Sequence, residues 1–158
     1  MSKYKIVGFA VVALVISVAV GFFYYQPSPK PEELNGDWKG TITTTSVSGA
    51  KELTDLMDTR SLPKEEKAAC KVTLDSSGNG TFIFEGMKCA ASYSGGDLTF
   101  SANENFLSLN VALESRLKAG QDGSNYILEG NLTEDFKDTS QNRTAQAKGT
   151  IKLTKPIK

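Results

Sequence analysis

The chain has 158 residues with 18 basic and 18 acidic side chains, so its formal net charge is zero, and it contains no histidine. Nucleic-acid binders usually carry a dense basic patch that meets the phosphates. The sequence has no such Lys/Arg cluster, which argues against a nucleic-acid partner. Without histidine the chain lacks the commonest general base and the commonest metal ligand. We therefore expect no metal site, no cofactor and no catalytic residues.

The first segment predicts a membrane anchor. Residues 6–25 form an uninterrupted uncharged run of 20 residues, which matches the roughly 20 apolar residues of helix that span a bilayer core. Lys3 and Lys5 precede the run and favour a cytoplasmic N-terminus, and residues 22–25 supply an aromatic belt at its far end. We expect residues 1–25 to anchor a single-pass membrane protein whose remaining part is periplasmic or extracellular.

The alternative for this segment is a cleaved signal peptide. Signal peptides have a shorter apolar core of about 7–15 residues and a small-x-small cleavage site, which Ser17, Val18 and Ala19 supply. Cleavage there would leave an apolar new N-terminus on a secreted protein. Both interpretations place the rest of the chain outside the cytoplasm.

A proline-rich segment follows the apolar run. Residues 26–34 contain Pro27, Pro29 and Pro31, and closely spaced prolines favour an extended, semi-rigid spacer. We expect this segment to be a linker and residues 35–158 to be one folded domain, close to the commonest domain size.

Two cysteines, Cys70 and Cys89, lie in the exported part. An even number of cysteines in an oxidising compartment predicts a structural disulfide. A metal site would need further ligands, and a redox pair usually has Cys-x-x-Cys spacing. Backbones two strands apart in a sheet are about 9–10 Å apart, whereas a disulfide needs Cα atoms within about 7 Å. We therefore expect the bond to join irregular backbone at the rim of a sheet.

Alternation of apolar and polar residues predicts about eight strands, joined mostly by short polar or glycine-rich turns. Short connections favour antiparallel neighbours. Eight strands with one apolar face close into a barrel or split into a sandwich, and we expect an all-β antiparallel barrel. The predicted strands cover residues 37–45, 70–74, 81–85, 88–93, 97–101, 107–117, 126–132 and 145–153.

The segment after the first strand breaks this alternation. Leu53, Leu56 and Met57 recur at helical spacing, and Ser61 followed by Pro63 is typical of a helix start. The sequence therefore predicts one or two short helices here. The three apolar side chains at positions 53, 56 and 57 are our candidate contact with a partner protein.

The first and last predicted strands resemble those of the lipocalin/calycin-like barrels. The resemblance rests on Gly36-Asp37-Trp38, a Gly-x-Trp motif at the first strand, on a final strand over residues 147–153 and on the strand count. It covers about residues 34–153. It implies that Trp38 packs across the closed end, that the first strand pairs with the last, and that the barrel encloses a cavity for a small apolar ligand.

Two functions are consistent with these features. The first is a membrane-anchored, extracytoplasmic, non-enzymatic barrel that binds a small apolar ligand or a lipid. The alternative is a filled β domain that acts as an envelope protein–protein interaction module or accessory subunit. An enzyme is not expected, because no histidine is present to activate a nucleophile. The side chains expected to line the cavity or fill the core are Trp38, Phe82, Phe84, Phe100, Leu109, Val111, Tyr126 and Leu128.

Overall fold

The computed structural model describes residues 28–55, 57, 61–84 and 86–158. The predicted anchor over residues 1–25, with its apolar run at 6–25, lies outside the described residues. Within them, no helix is long and apolar enough to cross a membrane.

The described residues form eight strands and two one-turn helices. All eight strands correspond to strands predicted from the alternation of apolar residues. The elements are α1 (Pro31–Leu34), β1 (Gly36–Gly49), α2 (Lys51–Thr54), β2 (Lys64–Leu74), β3 (Asn79–Phe84), β4 (Met87–Ser94), β5 (Asp97–Phe106), β6 (Leu109–Asp122), β7 (Asn125–Asp138) and β8 (Arg143–Pro156).

The strands form a closed antiparallel barrel in sequential order. The barrel is closed by pairing of β1 with β8, where Gly40 lies opposite Leu153 and Ile42 opposite Ile151. A bulge between Thr44 and Ser46 shifts this register by one residue. Closure leaves no strand edge unpaired. The predicted barrel, and the predicted pairing of first with last strand, are confirmed, and the sandwich alternative is excluded.

The two ends of the barrel differ. We call the end where the chain enters at Ser28 the plug end; it also carries the turns at 75–78, 95–96 and 123–124. The opposite end, which we call the mouth end, carries α2 and the turns at 107–108 and 139–142. Residues 28–35 close the plug end from below.

The segment predicted as a linker is partly built into the barrel. Pro31 is the first residue of α1, a position at which proline's fixed φ and missing N–H are tolerated. Leu34 is completely buried, and its carbonyl accepts a 2.8 Å hydrogen bond from Trp38 Nε1. The side chain of Asn35 pairs with the backbone N–H and carbonyl of Leu74. The folded unit therefore begins before residue 35, because Pro31 starts a helical turn that packs on the barrel.

Two other boundaries differ from the predictions. The prediction of a second short helix near Ser61 and Pro63 is wrong. Strand β2 begins at Lys64, which lies opposite Thr44 of β1. Those inter-strand hydrogen bonds override the local helix-start signal. The strand predicted to begin at Leu107 instead begins at Leu109, and the asparagine-rich residues before it continue β5.

Candidate functional site

The interior of the barrel is filled by side chains. One contiguous core contains buried residues from all eight strands and from α1. Phe82 and Phe100 stack in its centre with ring centroids 4.0 Å apart. The inward-facing positions alternate with exposed ones, as on β4, where Cys89, Ala91 and Tyr93 are buried.

Seven of the eight predicted lining residues lie in this interior, all except Leu109, which is half-buried at the mouth end. Trp38 is completely buried near the plug end. Lys155 reaches over its ring at 5.5 Å and over the ring of Tyr126 at 5.4 Å, which are cation–π contacts. The buried residues are Trp38, Phe82, Phe84, Phe100, Val111, Tyr126 and Leu128.

Lys155, on β8, connects the last strand to residues 28–35 at the plug end. Its ammonium donates hydrogen bonds to the carbonyls of Glu33 and Asn35. Burial lowers the pKa of Lys155, because the charged form loses contact with water. Beside it lies a pocket of about 530 Å³. Its lining carries both signs of charge, from Glu32, Glu33, Asp37, Lys155 and Lys158.

Cys70 and Cys89 are both buried, and no disulfide joins them. The predicted disulfide, and its predicted position at an irregular rim, are wrong. Cys70 lies opposite Phe84 of β3, and Cys89 lies opposite Phe82 of the same strand. Both cysteines are thus regular strand positions, separated by β3. That separation is about 9–10 Å between backbones, which is too large for a disulfide.

The environment of Cys89 disfavours its thiolate. Burial raises the pKa of the Cys89 thiol to about 11, and the negative charge of Glu104 adds to the shift. The thiolate is the reactive form of cysteine. At neutral pH Cys89 is therefore a small apolar core residue and not a nucleophile.

Alkaline pH is expected to destabilise the fold through Cys89. The unfolded chain loses this proton near the ordinary pKa of about 8.5, whereas the folded chain keeps it up to about 11. Between these values the folded state binds more protons, so the free energy of unfolding falls as pH rises. Denaturant unfolding at about pH 8 and about pH 10 measures the slope. Tyr93 and Tyr126 also have raised pKa values and contribute to the same slope. A Cys89→Ala variant therefore isolates the thiol's contribution to the pH dependence of stability. The same slope in that variant as in the original chain would contradict the prediction.

A small pocket opens inside the mouth end. Its volume is about 170 Å³, below the roughly 300–1,000 Å³ of ordinary small-molecule sites. A Lys64–Glu66 ion pair of 2.9 Å lies at its edge. Apolar and carboxylate side chains share the lining, including Ile42, Phe84, Leu132, Glu66 and Glu134.

A third concavity lies on the outer surface of β4 to β7, where small side chains leave a shallow trough of about 540 Å³. Asp97 near its plug-end side is held by Arg116 and by Lys118, whose Nζ lies 2.8 Å from Asp97 Oδ1. These cations hold the pKa of Asp97 below its ordinary value. The trough is lined mainly by hydroxyl, methyl and amide groups, from Ala90, Ser92, Thr99, Ser101, Asn131 and Thr133.

The predicted partner-contact segment does not present an apolar surface at Leu53. That side chain is only 6% exposed, and α2, on which it lies, contacts β1 and β8. Met57 is half-buried, and Leu56 lies outside the described residues. The Leu53 side chain is therefore used to pack α2 on the barrel, and a partner contact of the segment with Leu53, Leu56 and Met57 stays a prediction.

Two adjacent exposed apolar side chains lie instead at the turn between β5 and β6, whereas Ile83 and Ile157 are each exposed by little more than a third. Phe106 is 58% exposed and Leu107 is fully exposed; we call these two residues the apolar tip. Leu107 has a φ of 57°, in the left-handed region that costs a non-glycine residue roughly 1 kcal/mol or more. The tip is thus both solvent-exposed and conformationally costly.

Hydrogen bonds hold the apolar tip in place. The amide of Asn110 donates to Asn103 at 2.6 Å and to Asn105 at 2.8 Å, which links the two strands just below the turn. The backbone N–H and hydroxyl of Thr139 both donate to the carbonyl of Ser108. These contacts connect the tip to the β7–β8 turn, so the two apolar side chains project from a supported hairpin.

The sequence contained a signal for this tip. The buried apolar positions are even-numbered on β5, at Leu98 and Phe100, and odd-numbered on β6, at Val111 and Leu113. Such a change of phase requires a turn between the two runs, since alternation is strict within a strand. Leu107 shares the odd phase of β6, so apolar periodicity alone predicts that it belongs to that strand.

Comparison with known proteins adds little. No known family's sequence profile matches the chain, and no curated protein matches it. Among solved structures, it is similar to a crystal structure of a protein of unknown function from the DUF3598 family of Nostoc punctiforme, with 15% identity and a TM-score of 0.30. The match covers 80% of this chain and 50% of that one, so this chain spans about half its length. A likeness at that TM-score supports no functional argument.

Proposed function

We propose that this chain is a membrane-tethered, extracytoplasmic, non-enzymatic β-barrel that acts as a protein–protein interaction module. The observation that carries the proposal is the packed interior, in which buried side chains from all eight strands form one core. Small barrels enclose either a filled core or a ligand cavity. When the interior is filled, the outer surface remains for function.

The lipocalin-like resemblance supports a barrel of that architecture used as a scaffold. Trp38 lies at the plug end beneath Lys155, and β1 pairs with β8, which is the arrangement that the Gly36-Asp37-Trp38 motif implies. The stacked rings of Phe82 and Phe100 occupy the centre, where a lipocalin-like protein would hold its ligand.

The tether orients the barrel. Residues 6–25 are our proposed membrane span, and the chain enters the barrel at the plug end. The plug end would therefore face the membrane, and the mouth end would point away from it. This geometry presents the mouth end, with the apolar tip, to other proteins of the envelope.

The ionisable groups support a non-enzymatic role. The lowered pKa of Asp97 follows from its ion pairs, and that of Asp138 from hydrogen bonds with Ser140 and Gln141. The lowered pKa of Glu33 follows from its hydrogen bond with the Lys30 backbone. Each shift has a local structural cause, and the three carboxylates lie on different elements, Glu33 on α1, Asp97 on β5 and Asp138 on β7. General acid–base chemistry needs such groups to converge on one reacting atom.

In-cell photo-crosslinking of the full-length chain tests the proposal. A photoreactive residue is placed, one position at a time, at exposed sites around the barrel, including Lys71, Ser101, Leu107 and Lys148. Reproducible covalent adducts with one identified protein at neighbouring positions are the expected result. Absence of any protein adduct at all positions would contradict an interaction module.

Binding of a small apolar ligand is the second candidate, and the pocket of about 170 Å³ at the mouth end is the observation that favours it. Native mass spectrometry of the full chain, released from detergent, tests it. A stoichiometric apolar adduct would support ligand binding, whereas the mass of the chain alone is expected for an interaction module.

A further inference from the structure

We propose that the apolar tip, Phe106 and Leu107, is the element by which this barrel docks into an apolar pocket of a protein partner on the side away from the membrane. The inference rests on the proposed interaction function and names the site that performs it. Four features of the tip carry the argument: its unexplained leucine, its rigid support, its charge and its position.

Folding does not account for a leucine at position 107. Its side chain is fully exposed, so it adds nothing to the core. Its φ of 57° is unfavourable for leucine and is a conformation that glycine or asparagine adopts more readily. In the neighbouring β7–β8 turn, the residue with a positive φ is Asn142, at 51°. Leucine at this position is therefore explained by a contact that it makes with another molecule.

The support of the tip favours binding. The bonds of Asn110 to Asn103 and Asn105, and of Thr139 to Ser108, fix the hairpin before any partner arrives. A preorganised element loses little conformational entropy on association. A few side chains carry most of the affinity of an interface, and an aromatic or aliphatic side chain that fills a pocket can act as its anchor.

Charge and position favour a protein partner over a lipid surface. Residues 103–110 include one acidic residue, Glu104, and no lysine or arginine; Lys137, opposite Asn110, and Arg143 are single basic residues of the adjoining strands, whereas binding to anionic lipid headgroups draws on clusters of basic residues. The tip lies at the mouth end, and β6 has 14 residues. With a rise of about 3.3 Å per residue and a tilt of about 40°, such a strand spans roughly 35 Å. In the proposed orientation the tip therefore stands at that height above the anchored end and points away from the membrane.

A second copy of this chain is a poorer occupant than a different protein. Two tips that meet head to head would bury only the exposed parts of Phe106 and Leu107 from each copy. A stable interface buries about 800 Å² from each partner, far more than two side chains offer. A pocket on another protein that surrounds the tip would bury more surface of both molecules than two tips that meet head to head.

Thermal unfolding of the full chain tests the conformational part of the inference. Leu107→Gly is expected to raise the Tm by about 3–5 °C, because glycine adopts positive φ without strain. Asn142→Gly is the matched control at the same backbone conformation, and a smaller rise is expected because asparagine already tolerates it. An unchanged or lower Tm for Leu107→Gly would overturn the argument that this leucine is retained at a cost.

In-cell photo-crosslinking tests the docking part. A photoreactive residue at position 107 is expected to give a covalent adduct with one protein, and the same residue at position 142 at least tenfold less. Adducts at Ser101 or Lys148 without any at position 107 would refute docking through the tip but would still support the proposed interaction function. No protein adduct at any position would refute both. A lipid adduct, or an adduct with a second copy of this chain, at position 107 would each overturn the proposed partner.

Discussion

Replacing Trp38 with alanine is expected to lower the free energy of unfolding by about 3–5 kcal/mol, the usual cost of removing a buried large aromatic side chain. Trp38 is completely buried, donates a hydrogen bond to the Leu34 carbonyl and lies beneath the ammonium of Lys155. Its loss leaves a cavity at the plug end and an unpaired carbonyl. Denaturant unfolding followed by circular dichroism measures the effect.

Two variants control for this result. Trp38→Phe keeps an aromatic ring but loses the hydrogen bond to Leu34, so a smaller loss is expected. Phe106→Ala removes an aromatic side chain that is largely exposed, and a change within about 0.5 kcal/mol is expected for such a site. If Trp38→Ala costs no more than Phe106→Ala, the plug end does not depend on Trp38 and our description of it is wrong.

Replacing Gly40 with alanine is expected to cost about 3 kcal/mol, at the upper end of typical overpacking. A Cβ at Gly40 would lie 1.9 Å from the backbone oxygen of Lys152 and 2.8 Å from the Cα of Leu153. Both atoms belong to the β8 backbone, so neither can rotate away. The alanine would push β1 from β8 at the seam that closes the barrel.

Gly120→Ala is the matched control, since Gly120 also lies within a strand but an added Cβ would meet nothing within 4 Å. This variant is expected to change the free energy of unfolding by less than about 0.5 kcal/mol. Chemical unfolding curves for the two variants, recorded together, provide the comparison. Equal stability of Gly40→Ala and Gly120→Ala would show that β1 and β8 are not paired as described.

The strands could be predicted from the sequence because each has a strong local pattern. On β4, for example, Cys89, Ala91 and Tyr93 alternate with exposed residues, and only a half-buried strand gives that period. Short turns then determine the antiparallel order, and the Trp38 motif identified the strand that pairs with the last one. These are features of one segment or of neighbouring segments.

The errors came from contacts between distant parts of the chain. The start of β2 is set by pairing with β1, and not by the local signal at Ser61 and Pro63. The predicted disulfide fails because Cys70 and Cys89 hold regular positions on β2 and β4 with β3 between them, even though both lie within strands that the sequence predicts. The folding of Leu34 under the barrel depends on Trp38 Nε1. Neither the pairing of β1 with β2 nor the contact between Leu34 and Trp38 leaves a periodic signature in the sequence.

The candidate site was only partly accessible to sequence reasoning. The sequence predicts an interaction function, but the Leu53 side chain at its predicted position packs on the barrel. Recognising the tip required the positive φ of Leu107 and the register of Phe106 opposite Leu109. Backbone conformation at a single exposed residue cannot be read from apolar periodicity.

The central claim is that the barrel interior is filled, and the fluorescence of Trp38 tests it most directly. Trp38 is the one tryptophan in the chain and is completely buried, so its emission reports on the core. The full chain in lipid nanodiscs is titrated with a fluorescent polyene fatty acid, which accepts energy from tryptophan. Our account predicts only a gradual, non-saturating decrease, caused by energy transfer to probe dissolved in the bilayer that the plug end faces. Saturable quenching of Trp38 at one probe per chain would show an interior ligand site and contradict the account.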